Sequence, residues 1–242
     1  MATPVRFPGG VTNATASGAA YQLGIPDPTS WHQFLDDFDN YNATHWVITT
    51  TEAGAGSATE AVADADGGVL VITNDAADND LDFFQWSGVD NTAGAETFTF
   101  TSGKKLFFKA RWKVSDATEA DYFVGLHILD TTPVGASAPA VSDGVLFYSA
   151  DGSAALDFYH YASSSATSST GISTVTSDTY LVTAFYYDGG TKIEAFVNDV
   201  KVATITPATL VSTELAVSFG IQNGAAAAKV MSIDFVYVAK ER

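Results

Sequence analysis

The chain has 242 residues, of which 46% are hydrophobic and 12% aromatic, enough for the core of one large β domain or two small ones. It carries 11 Lys and Arg against 28 Asp and Glu, and the resulting net charge of −17 argues against binding to nucleic acid or to anionic membranes. The absence of cysteine excludes disulfides, thiolate metal sites and cysteine nucleophiles.

The first thirty residues differ in composition from the rest of the chain. They hold four of the seven prolines, together with Gly, Ala and Thr. Proline fixes φ and removes a backbone donor, so we expect an extended arm at residues 1–30, ahead of a single domain at residues 31–242. A floppy terminus is the alternative. Large side chains along the arm favour docking on a partner, and the candidate partner-binding residues are Val5, Arg6, Phe7, Val11, Tyr21, Leu23 and Ile25.

Targeting signals are not expected in this sequence. Residues 1–20 lack the basic segment followed by an apolar run that marks a signal peptide. No stretch approaches the roughly 18 apolar residues of a membrane span. We therefore expect a soluble protein that contacts no membrane.

One short helix is expected directly after the arm. Ser30 and Gln33 have the spacing of a capping box. Apolar residues then recur at helical intervals, at Trp31, Phe34, Leu35 and Phe38.

From Trp46 onward the sequence is typical of strands, because apolar and polar residues alternate between Gly, Asn and Asp turns. Strands do not alternate with helices, which argues against a parallel sheet. The pattern predicts an all-β fold, a two-sheet antiparallel β-sandwich of the jelly-roll type with an extended N-terminal arm. A Ser/Thr-rich tract at residues 163–170 is expected to form a solvated loop or a hairpin tip. The candidate strands are residues 46–50, 68–73, 81–86, 96–101, 105–114, 122–130, 145–149, 155–161, 172–175, 180–187, 192–197, 200–205, 215–222 and 230–239.

A basic stripe marks the candidate strand at residues 105–114. Leu106, Phe108, Ala110, Trp112 and Val114 fall on one face, and Lys105, Lys109, Arg111 and Lys113 on the other. These cations either pair with acidic residues of neighbouring strands, such as Glu194 or Asp234, or meet an anionic partner. Arg111 is the candidate for partner contact, because its planar fork suits bidentate binding of a carboxylate.

Acidic clusters occur at residues 64–66 and 75–82, where Asp and Asn oxygens are spaced as in calcium loops. Neither cluster has the twelve-residue pattern of an EF-hand, and solvated turns are the favoured interpretation. The four histidines are scattered, without the spacing of a metal site, and His127 is expected to be a satisfied structural residue. We therefore expect neither a bound metal nor a cofactor.

Signatures of catalysis are missing from the sequence. β-Sandwich glucanases carry a Glu-x-Asp-x-(x)-Glu strand, and Glu119 and Asp121 provide only its first two acids. Gly-x-Ser-x-Gly and P-loop motifs do not occur either. The sequence is therefore expected to have no enzymatic activity.

A pair of tyrosines is the candidate sugar-stacking site. Alternation places Tyr159 and Tyr161 on one face of a strand and Phe158 and His160 on the other. Tyrosines paired in this way stack on sugar rings or fill a protein interface. Ordinary packing between strands is the alternative.

The run from Tyr180 to Ala203 resembles the late hairpins of laminin-G-like, concanavalin A-like sandwiches, with a strand that ends in Tyr-Asp-Gly and a second that ends in Val-Asn-Asp. Residues 35–46, 218–224 and 231–238 resemble the opening and closing strands of that family. The resemblance covers residues 35–240 and implies the fold alone, because this fold hosts lectins, hydrolases and adhesion modules.

Residues 1–13 resemble the N-termini of tailed-phage virion proteins. This resemblance implies a capsid decoration (cement) protein on the outer surface of a phage head, bound to the major capsid protein or another virion protein as a homo-oligomer, for which we expect a trimer. The alternative is a carbohydrate-binding module of a phage fibre or a bacterial surface protein, with surface glycans as partners. A hydrolase with an unrecognised site is the third hypothesis.

Overall fold

The fold is an all-β sandwich of two antiparallel sheets, seen in a computed structural model that describes residues 30–63, 67–88 and 97–242. Apart from a single 3-10 turn at Ala43–His45, the regular elements in these ranges are strands. No helix among them has the length and apolar character to cross a membrane. The arm residues Val5, Arg6, Phe7, Val11, Tyr21, Leu23 and Ile25 lie outside the described residues, as do Asp64 and Asp66.

The first sheet has eight strands in the spatial order β13-β12-β11-β6-β15-β4-β3, with β1 also paired to β15. Strands β4 and β1 can both pair with β15 because β15 is long. Its first residues, 230–233, pair with β4, and its last residues, 236–241, pair with β1. The strands are β1 (Trp31–Asp36), β3 (Thr59–Ala63), β4 (Val69–Thr73), β6 (Leu106–Val114), β11 (Leu181–Tyr187), β12 (Ile193–Val197), β13 (Val200–Ile205) and β15 (Val230–Glu241).

The second sheet has seven strands in the order β10-β9-β8-β7-β14-β5-β2. Its central strands are buried along their whole length, so both faces of this sheet are covered. The strands are β2 (Trp46–Thr51), β5 (Leu81–Trp86), β7 (Ala120–His127), β8 (Gly144–Ser149), β9 (Ala155–Ala162), β10 (Ser165–Thr174) and β14 (Ala216–Asn223).

The main core lies between the two sheets, and alternate residues of their strands point into it. On β6 the burial alternates without a break, so Phe108 and Trp112 point into the core while the cationic residues face outward, as expected. Trp112 is fully buried, and its indole N–H donates to Thr183 Oγ1 at 3.0 Å. This hydrogen bond satisfies the polar end of one of the two tryptophan side chains in the core.

The helix expected after residue 30 is not formed, and β1 takes its place. Each residue from Trp31 to Asp36 is paired with one residue of β15, from Glu241 to Val236. Phe34 packs edge-on against Trp46, whereas Leu35 next to it is 65% exposed. The helical prediction was wrong because the long-range pairing with β15 overrides the local spacing.

Other boundaries differ where the local pattern is weak. In the described part of residues 96–101, only an isolated bridge from Phe98 to Leu215 replaces the expected strand. Strand β3 was not expected, because its exposed residues show no apolar alternation. The Ser/Thr-rich tract forms a hairpin tip at Ser163 and Ser164, both with positive φ, as one of the two interpretations had it, but β10 occupies the rest as an edge strand.

Candidate functional site

The outer face of the second sheet carries an apolar cluster that is separate from the main core. We call it the outer aromatic cluster. Period-two alternation directs Tyr159 and Tyr161 to this face and Phe158 into the main core, as expected from the sequence. The cluster consists of Leu81, Phe83, Phe123, Val141, Leu146, Tyr148, Tyr159 and Tyr161.

A loop at residues 128–143, between β7 and β8, covers this cluster. Val134, Ala138 and Val141 of the loop pack against it. The rings of Tyr159 and Tyr161 are stacked, with centroids 5.8 Å apart and an angle of 23° between their planes. Only 7% of Tyr159 and 8% of Tyr161 is exposed, so a sugar ring has no open tyrosine face to stack on in this conformation.

Tyr148 ties the 128–143 loop to the sheet. Its hydroxyl lies 2.8 Å from Asp121 Oδ1 and 2.9 Å from the carbonyl oxygen of Gly135. Burial, together with the neighbouring Asp121, raises the pKa of Tyr148 far above its ordinary value, so the phenol stays protonated and remains a donor. Burial also raises the pKa of Asp121, which accepts a further hydrogen bond from the backbone N–H of Asp151.

A buried polar network holds the first residues of the loop. The Gln85 amide nitrogen donates to the carbonyl oxygen of Ile128 at 3.0 Å and to Ser218 Oγ at 3.2 Å, while Gln85 Oε1 accepts from the N–H of Asp130. His127 Nδ1 lies 2.7 Å from the same Ile128 carbonyl. Burial lowers the pKa of His127 to about 4, so the ring is neutral at pH 7. The expectation of a satisfied histidine holds for Nδ1 only, because buried Nε2 has no hydrogen-bond partner in the part of the chain that the structure describes.

The carboxylates beside the outer aromatic cluster accept hydrogen bonds from groups of the same chain. Asp157 accepts the N–H of Gly171 at 2.6 Å and the hydroxyl of Tyr159 at 3.3 Å. Asp121 accepts from Tyr148 and Asp151, as described above. Within residues 30–63, 67–88 and 97–242, no group of three or more His, Cys, Asp or Glu side chains is placed to hold a metal ion.

On the first sheet, two residues of the basic stripe, Lys109 and Arg111, form ion pairs within the molecule. Lys109 Nζ lies 2.7 Å from Asp199 Oδ1, and Arg111 forms an ion pair with Asp234. Asp234 was one of the two acids expected from the sequence, whereas the other, Glu194, pairs with Lys201 instead. The Arg111 guanidinium also lies 4.0 Å from the centre of the Tyr180 ring. Contact of Arg111 with a partner protein stays a prediction.

A shallow cavity of about 320 Å³ lies between the β9–β10 hairpin tip and residues 208–209. Its lining is rich in hydroxyl groups, which the Ser/Thr-rich tract supplies. Sequence reasoning assigned that tract to solvent and missed the cavity, and it also missed the 128–143 loop, although two prolines and a glycine mark it. The lining residues of the cavity are Ala162, Ser163, Ser165, Thr167, Ala208 and Thr209.

Comparison with known proteins identifies the fold. No family model matches the chain, and no curated protein matches its sequence. Among solved structures, a protein of unknown function from Shewanella oneidensis is similar with a TM-score of 0.59 and 14% identity, over 95% of this chain and 97% of that one. A glycoside hydrolase family 16 endo-glucanase from Bacteroides ovatus has a TM-score of 0.56 and 15% identity, over 85% and 99%.

A third similar structure is the carbohydrate recognition domain of Emp47p, with a TM-score of 0.56 and 10% identity, over 88% of this chain and 98% of that one. The chain has the concanavalin A-like sandwich fold. At these identities the similarity concerns the fold, and the fold alone assigns no activity.

Proposed function

We propose that this protein is a non-enzymatic structural protein of a virion, a decoration protein that holds the capsid surface through its N-terminal arm while the sandwich faces solvent. The observation that supports this proposal is the closed outer face of the second sheet. The 128–143 loop packs against the outer aromatic cluster, in which Tyr159 and Tyr161 are buried, and the adjacent carboxylates Asp121 and Asp157 accept hydrogen bonds from their own chain. With this face closed, the sandwich would serve as a scaffold, and attachment would fall to the arm.

The partners in this proposal are the major capsid protein or another virion protein and further copies of the chain. An extended segment that becomes ordered on binding covers a large surface relative to its length. The apolar residues from Val5 to Ile25 would fill depressions between capsid subunits, and Arg6 would add a cationic contact. The resemblance of residues 1–13 to virion proteins agrees with this assignment.

Deletion of residues 1–28 tests the proposal. We expect the truncated chain to keep the circular dichroism spectrum and melting temperature of the full chain, because the sandwich supplies its own core. We expect it to lose attachment to particles in co-sedimentation. Attachment at the occupancy of the full chain would contradict the role of the arm.

Arg111→Ala, measured beside Lys109→Ala in the same assay across a salt series, tests the role of Arg111. If Arg111 reaches the particle, only its variant weakens attachment and flattens the salt dependence. Unchanged attachment of both variants at every salt concentration would leave Arg111 with its internal pair to Asp234.

The second candidate function is glycan binding, and the observation that favours it is the hydroxyl-lined cavity beside the β9–β10 hairpin. Hydroxyl groups suit the hydrogen bonding of a sugar, and no Lys or Arg lies on the described strands of the second sheet. A neutral glycan therefore fits better than an anionic one. A glycan array separates the two functions, because retention of a neutral glycan by the full chain, with loss in Thr167→Val, would support this candidate.

A further inference from the structure

A group of acidic side chains lies inside the sandwich, where the edge strands β2 and β3 of the two sheets face each other. Asp82 of β5 is paired with Thr50 of β2 and points to the same side as Phe84, into the space between the sheets. Glu60 of β3 is paired with Ile72, a residue of the main core, so it points into the same space from the first sheet. Two carboxyl groups from opposite sheets therefore meet.

Asp82 is fully buried, and one of its two oxygens has no conventional donor. Its Oδ1 accepts a hydrogen bond from Thr50 Oγ1 at 2.8 Å, whereas no N–H or O–H of the described residues reaches Oδ2. The group within reach of a hydrogen bond to the Asp82 carboxyl is the carboxyl of Glu60. Such a bond exists only if one of the two groups carries a proton.

The groups around this pair are acidic or neutral. The charges acting on Asp82 are those of Glu60 and of Glu52, which follows β2. Glu52 Oε1 accepts the N–H of Ala58 at 2.6 Å, but its Oε2 is buried and, like the hydroxyl oxygen of Tyr41, has no hydrogen-bond partner among the described residues. Burial, above all, raises the pKa of Asp82 to about 7, and burial beside Glu60 and Asp82 raises the pKa of Tyr41.

We propose that Asp82 and Glu60 share one proton at neutral pH and act as a pH-operated latch between the two sheets. With the proton in place, a hydrogen bond joins β5 of the second sheet to β3 of the first. Without it, a buried carboxylate of Asp82 faces the half-buried carboxylate of Glu60, and their repulsion pushes the β2–β3 edge apart. The edge is suited to such opening, because β3 is largely exposed and, among the described strands, pairs only with β4.

The sign of the pH dependence follows from the raised proton affinity of the folded state. Between about pH 4, where an aspartate of the unfolded chain titrates, and about pH 7, the folded protein binds more protons than the unfolded chain. Stability contributed by the latch is therefore present at acidic pH and is lost as the pH rises through this range. Local opening of β3 becomes more frequent as the pH rises through the same range.

Asp82→Asn tests the latch. The amide oxygen still accepts from Thr50, and the amide N–H donates to an ionised Glu60, so that no shared proton is needed. We expect the melting temperature of the wild type to fall from about pH 5 to about pH 9, and that of the variant to change less. At the alkaline end the variant melts above the wild type. Hydrogen exchange at Thr59–Ala63, corrected for intrinsic rates, accelerates above neutral pH in the wild type only.

Asp80→Asn is the matched control. Asp80 is also buried, but each of its oxygens has a backbone donor, the N–H of Ala53 at 2.6 Å and the N–H of Ala77 at 3.1 Å. We expect this variant to have a lower melting temperature than the wild type at every pH, with the same dependence of melting temperature on pH. If Asp82→Asn does not fold, Glu60→Gln at the half-buried end of the pair replaces it, with the same expected flattening.

Two results would overturn the proposal. One is a full wild-type pH slope in both Asp82→Asn and Glu60→Gln. The other is a rise in the melting temperature of the wild type on addition of CaCl₂ at alkaline pH that the two variants lack, because the carboxyl groups would then hold a cation and not a proton. Infrared difference spectra provide the direct readout, since a protonated-carboxyl band at neutral pH that disappears in Asp82→Asn supports the latch.

Discussion

At the scale of single residues, Lys229 shows how a buried cation is held in an acidic protein. Its side chain is 5% exposed, and its Nζ lies 2.8 Å from Asp116 Oδ2 and 3.1 Å from Glu119 Oε2. Burial alone would lower the pKa of Lys229, but the two hydrogen bonds outweigh it and raise the pKa. The hydrogen bond from Lys229 to Asp116 holds the pKa of Asp116 well below its usual range.

We predict that Lys229→Met lowers the free energy of unfolding by about 2 kcal/mol at pH 7, measured by urea denaturation. A fully buried pair costs roughly 3–5 kcal/mol when one partner is removed, and water can still reach the two carboxylates here. Because the pKa of Asp116 is depressed, its stabilising effect is present above about pH 4 and is lost as the pH falls further. The difference between the variant and the wild type should shrink in that range.

Lys201→Met is the control for this prediction. Its pair with Glu194 is on the surface, with 53% of the lysine side chain exposed, so its loss should cost less than about 1 kcal/mol. Equal losses in the two variants would show that the burial of Lys229 has no energetic consequence.

At the scale of elements, the 128–143 loop decides whether the outer aromatic cluster is accessible. The loop is held by Tyr148 near its middle and by the Gln85 network at its start. Neither tether is visible from periodicity, because Tyr148 is close to the loop only after β7 and β8 have paired.

We predict that Tyr148→Phe loosens the loop and lowers the free energy of unfolding by about 1–2 kcal/mol, the typical cost of a lost buried hydrogen bond. Hydrogen exchange should accelerate at the amide of Ala140, which donates to the carbonyl of Pro133 inside the loop. Tyr159→Phe is the matched control, because its hydroxyl bonds to Asp157 of the same strand and not to the loop. If the hydrogen exchange of Ala140 is unchanged in Tyr148→Phe, apolar packing alone holds the 128–143 loop over the outer aromatic cluster.

At the scale of the whole molecule, the charges are separated between the two sheets. Ten of the eleven Lys and Arg residues are in the described ranges, and all ten lie on strands of the first sheet or beside them. The second sheet has acidic residues at its ends and no cation on its strands. This separation arises only when β6, β13 and β15 come together, and it gives any partner a different surface on each side.

We predict that a chelator leaves the melting temperature unchanged at constant ionic strength. In the acidic cluster at residues 75–82, Asp80 accepts two backbone N–H groups and Asp82 contacts Glu60, so these oxygens are engaged by the protein itself. A bound Ca²⁺ would stabilise the folded state by mass action. A decrease in melting temperature with EDTA that CaCl₂ reverses would contradict the prediction.

The sequence by itself determined the sandwich class, most strand positions and the hairpin turns. Strand alternation and turn residues are local properties. The turn at Asn198 and Asp199, for example, has positive φ at both residues, which Asn and Asp tolerate. The inward and outward faces of β6 and β9 also followed from period two.

Tertiary structure decided the features that depend on distant partners. Residues 31–36 are a strand because β15 offers a free edge, although their local spacing is helical. The tyrosine pair of β9 is buried in a cluster against which a loop from between two other strands packs. The pKa of Asp82 is raised because the folded sheets bury it and bring Glu60 close to it from the opposite sheet. Periodicity records which side of a strand is buried, but it does not record what buries it, and that contact sets the chemistry of the site.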